Sequence, residues 1–595
     1  MIAVVVVTPA ALPVARRITA ALPEARLHGL AGRVEGAEEV FSDAKAHIAA
    51  LFKAGTPVIG VCAAGILIRA VGPVLVDKQA EPPVLAVAPD GSSVVPLLGG
   101  HHGANELSRR LAAALESHAA ITTAGDLKLG VALDEPPPGW HVANPEAAKP
   151  VAAAFLAGEP VRLEVEAGEA GWLKHLPFAE EAEPAVRITD HQVTADEAEL
   201  LLNPPVLALG VGCERDCPPE DLARLVRDTL ESEALAPGAI ACVASIDLKM
   251  DEGAVHALAA SLGVPARFFT AAELNQQAPR LKNPSDIVLK ETGCPGVSEG
   301  AALAAAGPDS ELVVPKVKNK RATVAIARAP QGIDPAQVGR ARGKLFVVGI
   351  GPGTAAMRTP EASAAIAASS DLVGYGLYLD LLGEATAGKA RHQSNLGAEA
   401  DRARMALDLA GQGKVVSLVC SGDAGIYALA TLVFELIERE SKVEWLRTDV
   451  QVIPGVSALQ AAAARAGAPV NHDFCTISLS DLLTPWETIE KRLKAAAEAD
   501  FVVCFYNPVS QRRRDQLARA RDILLTGRPA ETPVILARQL GRPEESVRVV
   551  SLGELTPDHA DMLTLVMVGS SESRRLRLGG ATRVYTPRGY AKKLT

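Results

Sequence analysis

The chain has 595 residues, 48% hydrophobic and 22% charged, with a formal net charge of −10. At roughly 150 residues per domain this suffices for about four domains with separate cores, and the acidic balance argues against a broad basic surface for nucleic acid. No apolar run approaches the ~20 residues of a membrane-spanning helix, and the eight cysteines (62, 213, 217, 242, 294, 420, 475 and 504) make no C-x-x-C pair, which suits a reducing cytoplasm and offers no metal site.

The opening "MIAVVVVTPA" has no positively charged start and reads as a buried parallel strand, not a signal peptide. A β-branched run, a glycine-containing turn and an Ala/Leu-rich helical stretch recur at 56–72, 204–216, 343–353, 414–430, 450–467 and 499–508. Such runs are strands of α/β domains buried on both faces, whose C-terminal turns hold ligands. The proline-rich "DEPPPGWHVANPEAAKP" (134–150) interrupts this rhythm, and "AVRITDHQV" (185–193) alternates like an antiparallel strand of a small inserted unit. The stretch 316–346 contains a last strand followed by a polar tether. These shifts predict α/β domains at 1–135 and 204–330, a middle unit at 136–203, a linker at 331–342 and a further α/β region at 343–595.

In the first domain, "PLLGGHHGANELSRRLAAAL" (96–115) sets His101, His102, Asn105 and Glu106 between a Gly-Gly turn and an amphipathic helix. The spacing is not H-E-x-x-H, so no zinc hydrolase follows. A histidine and a glutamate can activate water against an ester; equally, Asn105 and Glu106 suit the first turn of a capped helix. Cys62 and Cys213 end strands where a nucleophile can sit, but free cysteines are commonly small buried hydrophobes.

Further on, "VVGIGPGTAAMRTPEA" (347–362) brings a strand into Gly349, Gly351 and Gly353. A dinucleotide fingerprint needs a glycine where Thr354 stands, and Pro352 has no N–H to donate, so an NAD-dependent oxidoreductase is a remote rival. The turns "SGDAGIY" (421–427) and "IPGVSA" (453–458) are small and lack lysine. Backbone amides, one carboxylate and small side chains suit a cation with an adenosine end better than a polyphosphate. Asp423 also reads as a helix N-cap.

The ordered motifs "VGIGPG", "SGDAGIY", "PGVSALQAAAARAGAP", "FYNP" and "DMLTLVMVG" resemble those of the tetrapyrrole methylases, which bind S-adenosylmethionine between two α/β subdomains. With "HDFCTISLSDLLTPWETIEKRL" (472–493) and "TPRGY" (586–590), the region is similar to the precorrin-3B C17-methyltransferases. The resemblance implies subdomains at about 343–453 and 454–575, and S-adenosylmethionine as cosubstrate. It assigns donor contacts to Pro352, Ser421, Gly422, Asp423, Ile426, Ser457, Ala458, Asn507 and Leu540, and lets the backbone at Gly351 and Gly353 approach the ligands. Ring contraction needs a group that assists proton movement, for which Asp481, Ser480 and Tyr375 are candidates by location. The acid arms of a precorrin call for local basic groups; Arg512, in "SQRRRDQLARARD" (510–522), offers one, although charge runs are usually a solvated helix face, the reading preferred for this one.

In the front half, "GVCAAGILIRAVGPVLVDK", "GGHHGANELSRRLA", "ITTAGD", "GVGCERD", "SIDLKMDE" and "FFTAAELN" resemble the cobalt-precorrin-5A hydrolases across about 1–330. That family opens the lactone formed during ring contraction and releases acetaldehyde. His101 as base, Glu106 as its partner and Arg69 as carboxylate anchor form the first candidate set; Ser245, Asp247 and Lys249, with Glu299, form the second. The two resemblances imply a cytoplasmic bifunctional enzyme of cobalamin biosynthesis that acts on tetrapyrrole substrates, needs neither membrane nor nucleic acid, pairs as a homodimer through the methylase region and contacts other corrin-pathway enzymes. A methylase fused to a non-catalytic corrinoid carrier is the alternative.

Overall fold

Segments apolar at every position, not at alternate ones, need cover on both faces, and the valine- and alanine-rich runs of this chain become central strands. The computed structural model describes residues 2–22, 24–76, 81–122, 129–196, 198–395, 397–510 and 513–593, apart from the side chains of His101, Ala591 and Lys592. The chain divides into two compact units, Met1–Arg342 and Gly343–Thr595.

The first unit carries three sheets. The first has spatial order Glu39–Phe41, Ala25–Leu30, Ile2–Val6, Val58–Val61, Val84–Val87, Ser93–Leu98 and His118–Ala119. Ile2–Val6 runs parallel to both neighbours and is buried throughout. After the Gly-Gly turn, helix Ala104–Leu115 starts behind Gly103, whose φ of 87° is open to glycine, and takes Asn105 and Glu106 into its first turn.

The second sheet has the order Phe178–Ala179, Val161–Val165, Ala185–Ile188, Glu199–Asn203 and His141–Val142. Ala185–Ile188 pairs parallel with both neighbours, not antiparallel as its alternation suggests. The alternation misleads because Arg187 folds back, donating from Nη2 (2.6 Å) and Nε (3.0 Å) to Glu166 Oε1, so that a charged residue occupies a half-buried central position.

The third sheet runs Ala266–Phe269, Ile240–Ile246, Leu207–Cys213, Ala322–Arg328 and Glu311–Lys318. Helix Val297–Ala306, built mostly of Ala and Gly, lies so close to Leu207–Cys213 that a Cβ on Gly210 would stand 2.0 Å from the Ser298 carbonyl oxygen. The stretch 331–342, expected as a free tether, is instead docked on this sheet. Ile333 is buried and donates its N–H to Pro205 O (2.8 Å), and Phe268 and Arg340 exchange two backbone bonds of 2.8 Å. Ile333 and Val338 carry the apolar area that holds it there.

The second unit contains a parallel sheet in the order Ala390–Ser394, Asp371–Tyr375, Val415–Cys420, Lys344–Gly349 and Asp449–Ile453. A second sheet, Phe474–Ser478, Val502–Tyr506, Thr564–Val568, Pro533–Arg538 and Ser546–Ser551, is mainly antiparallel. Gly467–Ala468, Ala581–Tyr585 and Arg574–Leu578 form a small third sheet. Because Lys344–Gly349 is flanked on both sides by parallel strands, the loops that follow all three leave the sheet side by side.

Candidate functional site

Those three loops meet main chain to main chain. Gly351 donates its N–H to Gly422 O (3.1 Å), and Gly422 returns a bond to Gly351 O (2.8 Å). A Cβ on Gly455 would lie 2.2 Å from Gly422 O and 2.6 Å from Gly349 O, so only bare backbone fits the junction. Asp423 ties the loops together: Oδ1 accepts from Gly425 N (2.8 Å) and Oδ2 from Gly455 N (3.0 Å). It caps no helix, since Leu429 holds the N-cap position of the following helix, Ala430–Glu440.

Above this junction opens a cleft of about 280 Å³. Pro352 lines it from the first loop, and Ser421, Gly422, Asp423 and Ile426 from the second. Ser457 and Ala458 line it from the third loop, where Ser457 and Gln460 form a capping box at the start of helix Ala458–Ala466. Asn507 and Leu540 complete it from loops of the second sheet. All nine residues expected around a methyl donor therefore border one cleft.

Gly351 and Gly353 have a different relation to it. A Cβ on Gly351 (φ 78°) would stand 2.5 Å from Met357 O, and one on Gly353 would stand 2.6 Å from Gly541 O. Their side-chain-free faces are thus turned to the protein's own backbone, and the Gly353–Gly541 approach holds the first glycine loop against the second sheet. The helix that follows, Pro360–Ala368, begins only after a separate 3-10 turn at Ala355–Met357, so the glycines do not aim a helix N-terminus as a dinucleotide cradle does.

Tyr427, Asn507 and Gln539 line the cleft with φ of 50°, a left-handed conformation that costs a non-glycine residue about 1 kcal/mol or more and that clusters at functional sites. Tyr506 Oη accepts from Leu459 N (3.3 Å), its ring stands 5.2 Å from that of Tyr427, and burial pushes its phenol above the ordinary range. Tyr378, Arg402, Tyr506 and Arg542 also line the cleft and were not singled out from the sequence. Arg402 did carry a signal: it lies on the buried stripe of helix Glu399–Gly411 with Ala403, Ala406, Leu407 and Ala410.

Residues 344–556 match the model for the tetrapyrrole (corrin/porphyrin) methylases. The precorrin-3B C(17)-methyltransferase of Sinorhizobium sp. is 47% identical over 250 residues, which are 42% of this chain and 98% of that protein. The chain belongs to the tetrapyrrole methylase family. CobIJ of Mycobacterium bovis is 44% identical over 252 residues, 42% of this chain and 48% of that protein, so the methylase region spans about half of that relative. The crystal structure of the methyltransferase CobJ, 42% identical, covers 41% of this chain and 100% of its own with a TM-score of 0.39. In the front half, residues 46–126 match the cobalamin synthesis G N-terminal model and 207–327 the cobalamin synthesis G C-terminus model.

Other methylase residues named from the sequence lie apart from the cleft lining. Tyr375 precedes helix Gly376–Asp380, with its ring edge-on to Tyr378 at 5.3 Å. Ser480 Oγ accepts from Arg513 Nη1 (2.9 Å), and the exposed Asp481 accepts from Gln516 Nε2 (3.1 Å). Arg512 lies outside the described residues. Its neighbours differ: Arg513 is buried and also donates to Asn507 O (2.9 Å), while Arg514 is exposed to solvent and pairs with Asp558.

In the hydrolase-like unit, the side chain of His101 lies outside the described residues. Glu106 is exposed and pairs with Arg109 at 3.4 Å, and the exposed Arg69 donates from Nη1 to Gly65 O of its own helix (3.1 Å). Ser245 is fully buried and donates to Val211 O (2.7 Å). Asp247 stands 3.7 Å from Arg340, and Lys249 is 3.4 Å from Glu252. The buried Glu299 accepts from the backbone of Lys282 (2.8 Å), Asn283 (3.0 Å) and Lys316 (2.9 Å) and from Asn283 Nδ2 (2.8 Å), bonds that saturate it as a structural tie. Burial raises the thiol of Cys62 to about 11 and that of Cys213 to about 12, the behaviour of small buried hydrophobes. Among the described residues no group of three or more His, Cys, Asp or Glu is placed to hold a metal ion, and no helix is long and apolar enough to cross a membrane.

Proposed function

We propose that residues 343–595 methylate C17 of a precorrin-3B-type tetrapyrrole with contraction of the ring, and that residues 1–330 open the lactone of cobalt-precorrin-5A with release of acetaldehyde. The convergence of Pro352, Ser421–Asp423, Ile426, Ser457, Ala458, Asn507 and Leu540 on one cleft carries the methylase reading. The lining fits an adenosylated sulfonium: small side chains and main chain from the glycine loops, with Ile426, Leu540 and the aromatic rings of Tyr378 and Tyr506.

When bound, S-adenosylmethionine supplies a methyl group already activated on sulfur. The protein's part is then mainly to hold two ligands in line and keep water out. The clamp of Asp423 on Gly425 and Gly455 fixes the floor, and the strained backbone of Tyr427, Asn507 and Gln539 fixes the walls. Tyr375 and Asp481 stay as candidates for proton movement at a macrocycle larger than the cleft itself, and His101 and Glu106, with Arg69, for lactone opening. By the same family resemblance we expect a cytoplasmic homodimer formed through the methylase region, in contact with neighbouring corrin-pathway enzymes.

The test uses the full chain with isotopically labelled S-adenosylmethionine and either precorrin-3B or its cobalt-bearing counterpart. Mass spectrometry should find one added methyl in a ring-contracted product from one acceptor; no incorporation into either overturns the methylase reading. Acetaldehyde released from cobalt-precorrin-5A supports the hydrolase, whereas tight binding without release replaces it with the carrier.

A further inference from the structure

Two arginines border the methylase cleft without an anion of their own. Arg402 is 4% exposed; its Nε donates to Ser394 Oγ (2.7 Å) and its Nη2 to Asn395 O (3.0 Å), both neutral acceptors. Arg542 is half-buried, and its Nε is buried with no hydrogen-bond partner. Among the described residues neither guanidinium has a carboxylate within 4.0 Å. The contrast with neighbouring arginines is direct: Arg538 pairs with Asp561 at 2.7 Å and Arg513 approaches Asp481 at 3.8 Å. Tyr378 links the two unpaired groups, because burial pushes its phenol up while Arg542 and Arg402 both pull it down. Glu399 also borders the cleft, but it is exposed and beyond ion-pair distance of Arg402.

A guanidinium cannot shed its proton, so burial without a counter-ion is costly, and an anion brought by a ligand offsets that cost. We propose that Arg402 and Arg542 form a carboxylate subsite of the cleft, completed by a ligand. Its planar donors match a carboxylate in two-point contact. The proposal rests on the methylase reading, under which two ligands bring carboxylates: the amino-acid end of the methyl donor and the acid arms of the tetrapyrrole. This places acid recognition on two separated segments of the cleft wall and not on the arginine run near position 512.

The full chain is titrated calorimetrically with S-adenosylhomocysteine and with methylthioadenosine, which lacks the amino-acid end, as wild type and as Arg542→Gln. Among the described residues no hydrogen bond from the Arg542 side chain is there to lose, so this variant should fold; Arg402→Lys, which keeps the charge but not the fork, is the second. KM and kcat for the tetrapyrrole are measured in parallel. If the donor supplies the carboxylate, S-adenosylhomocysteine binds about ten- to a hundredfold more weakly while methylthioadenosine is unchanged. If the tetrapyrrole supplies it, both adenosyl ligands bind as before and KM rises by a similar factor with kcat kept. Wild-type values throughout, or equal losses for both adenosyl ligands, overturn the subsite. A wild-type chain that binds neither adenosyl ligand would overturn the methylase reading itself, a result distinct from failure of the variants.

Discussion

Gly455→Ala tests whether the floor of the cleft is a contact of bare backbones. The new Cβ would stand 2.2 Å from Gly422 O and 2.6 Å from Gly349 O, where ordinary van der Waals contact begins at 3.4 Å. Both obstacles are main chain of neighbouring loops, so relief requires a loop to move by about an ångström. Overpacking of this kind costs about 1–3 kcal/mol. Movement of residue 455 also breaks the bond from its N–H to Asp423, a charged acceptor, which adds about 1.5–3 kcal/mol. A total of about 2.5–6 kcal/mol corresponds to a fall of about 10 °C in the melting transition of a unit this size. Gly376→Ala serves as the control, since its Cβ would meet only the end of the exposed Gln393 side chain, with Oε1 at 3.3 Å, and it should remain within about 2 °C of wild type. Differential scanning calorimetry reads both variants, and titration with S-adenosylhomocysteine should show at least about a tenfold loss of affinity for Gly455→Ala alone. A Gly455→Ala protein that melts and binds like its parent would refute the backbone-contact account.

In the first unit, Gly210→Ala forces a Cβ to 2.0 Å from Ser298 O and should lower the first transition by about 3 kcal/mol, whereas Gly253→Ala, with nothing within 4 Å, should raise it by about 0.4–1 kcal/mol; chemical denaturation distinguishes them. His28 is 3% exposed, and burial foremost lowers it from 6.5 to about 4, with its Nδ1 and His47 Nε2 2.9 Å apart. The unfolded chain therefore binds the extra proton first, so stability should fall as pH drops from 6.5 towards 4, by up to about 1.4 kcal/mol per unit. Urea midpoints measured across that window should show this slope, and His28→Leu should flatten it. Arg513→Ala removes bonds to Ser480 Oγ and Asn507 O and should destabilise the second unit by about 2 kcal/mol, while Arg514→Ala, losing one exposed ion pair, should change it by less than about 1 kcal/mol in the same assay.

Much of the site was legible because glycine and small polar residues punctuate the ends of apolar runs. Pro352, Gly422, Ser457 and Asn507 stand at such places, and strands buried on both faces deliver their loops to the same edge of a sheet. The alternation of 185–193 misled because an internally paired arginine imitates an outward-facing polar residue. The polar composition of 331–342 concealed the grip of Ile333 and Val338 on the third sheet. Arg402 was detectable as a charge on an apolar stripe, but Arg542 had no local signature, since its place on the cleft depends on segments distant in sequence.

The sequence by itself determined the α/β architecture, the ordered motifs and the small, lysine-poor character of the cleft, because these follow from side-chain periodicity and local backbone sterics. Only the tertiary structure decided that Asp423 clamps two loops, that Gly351 and Gly353 face main chain, and that Arg402 and Arg542 border one cleft. Those properties depend on which distant segments come within a few ångströms of one another, and both steric contact and charge pairing are set by that separation in space, not by separation along the chain.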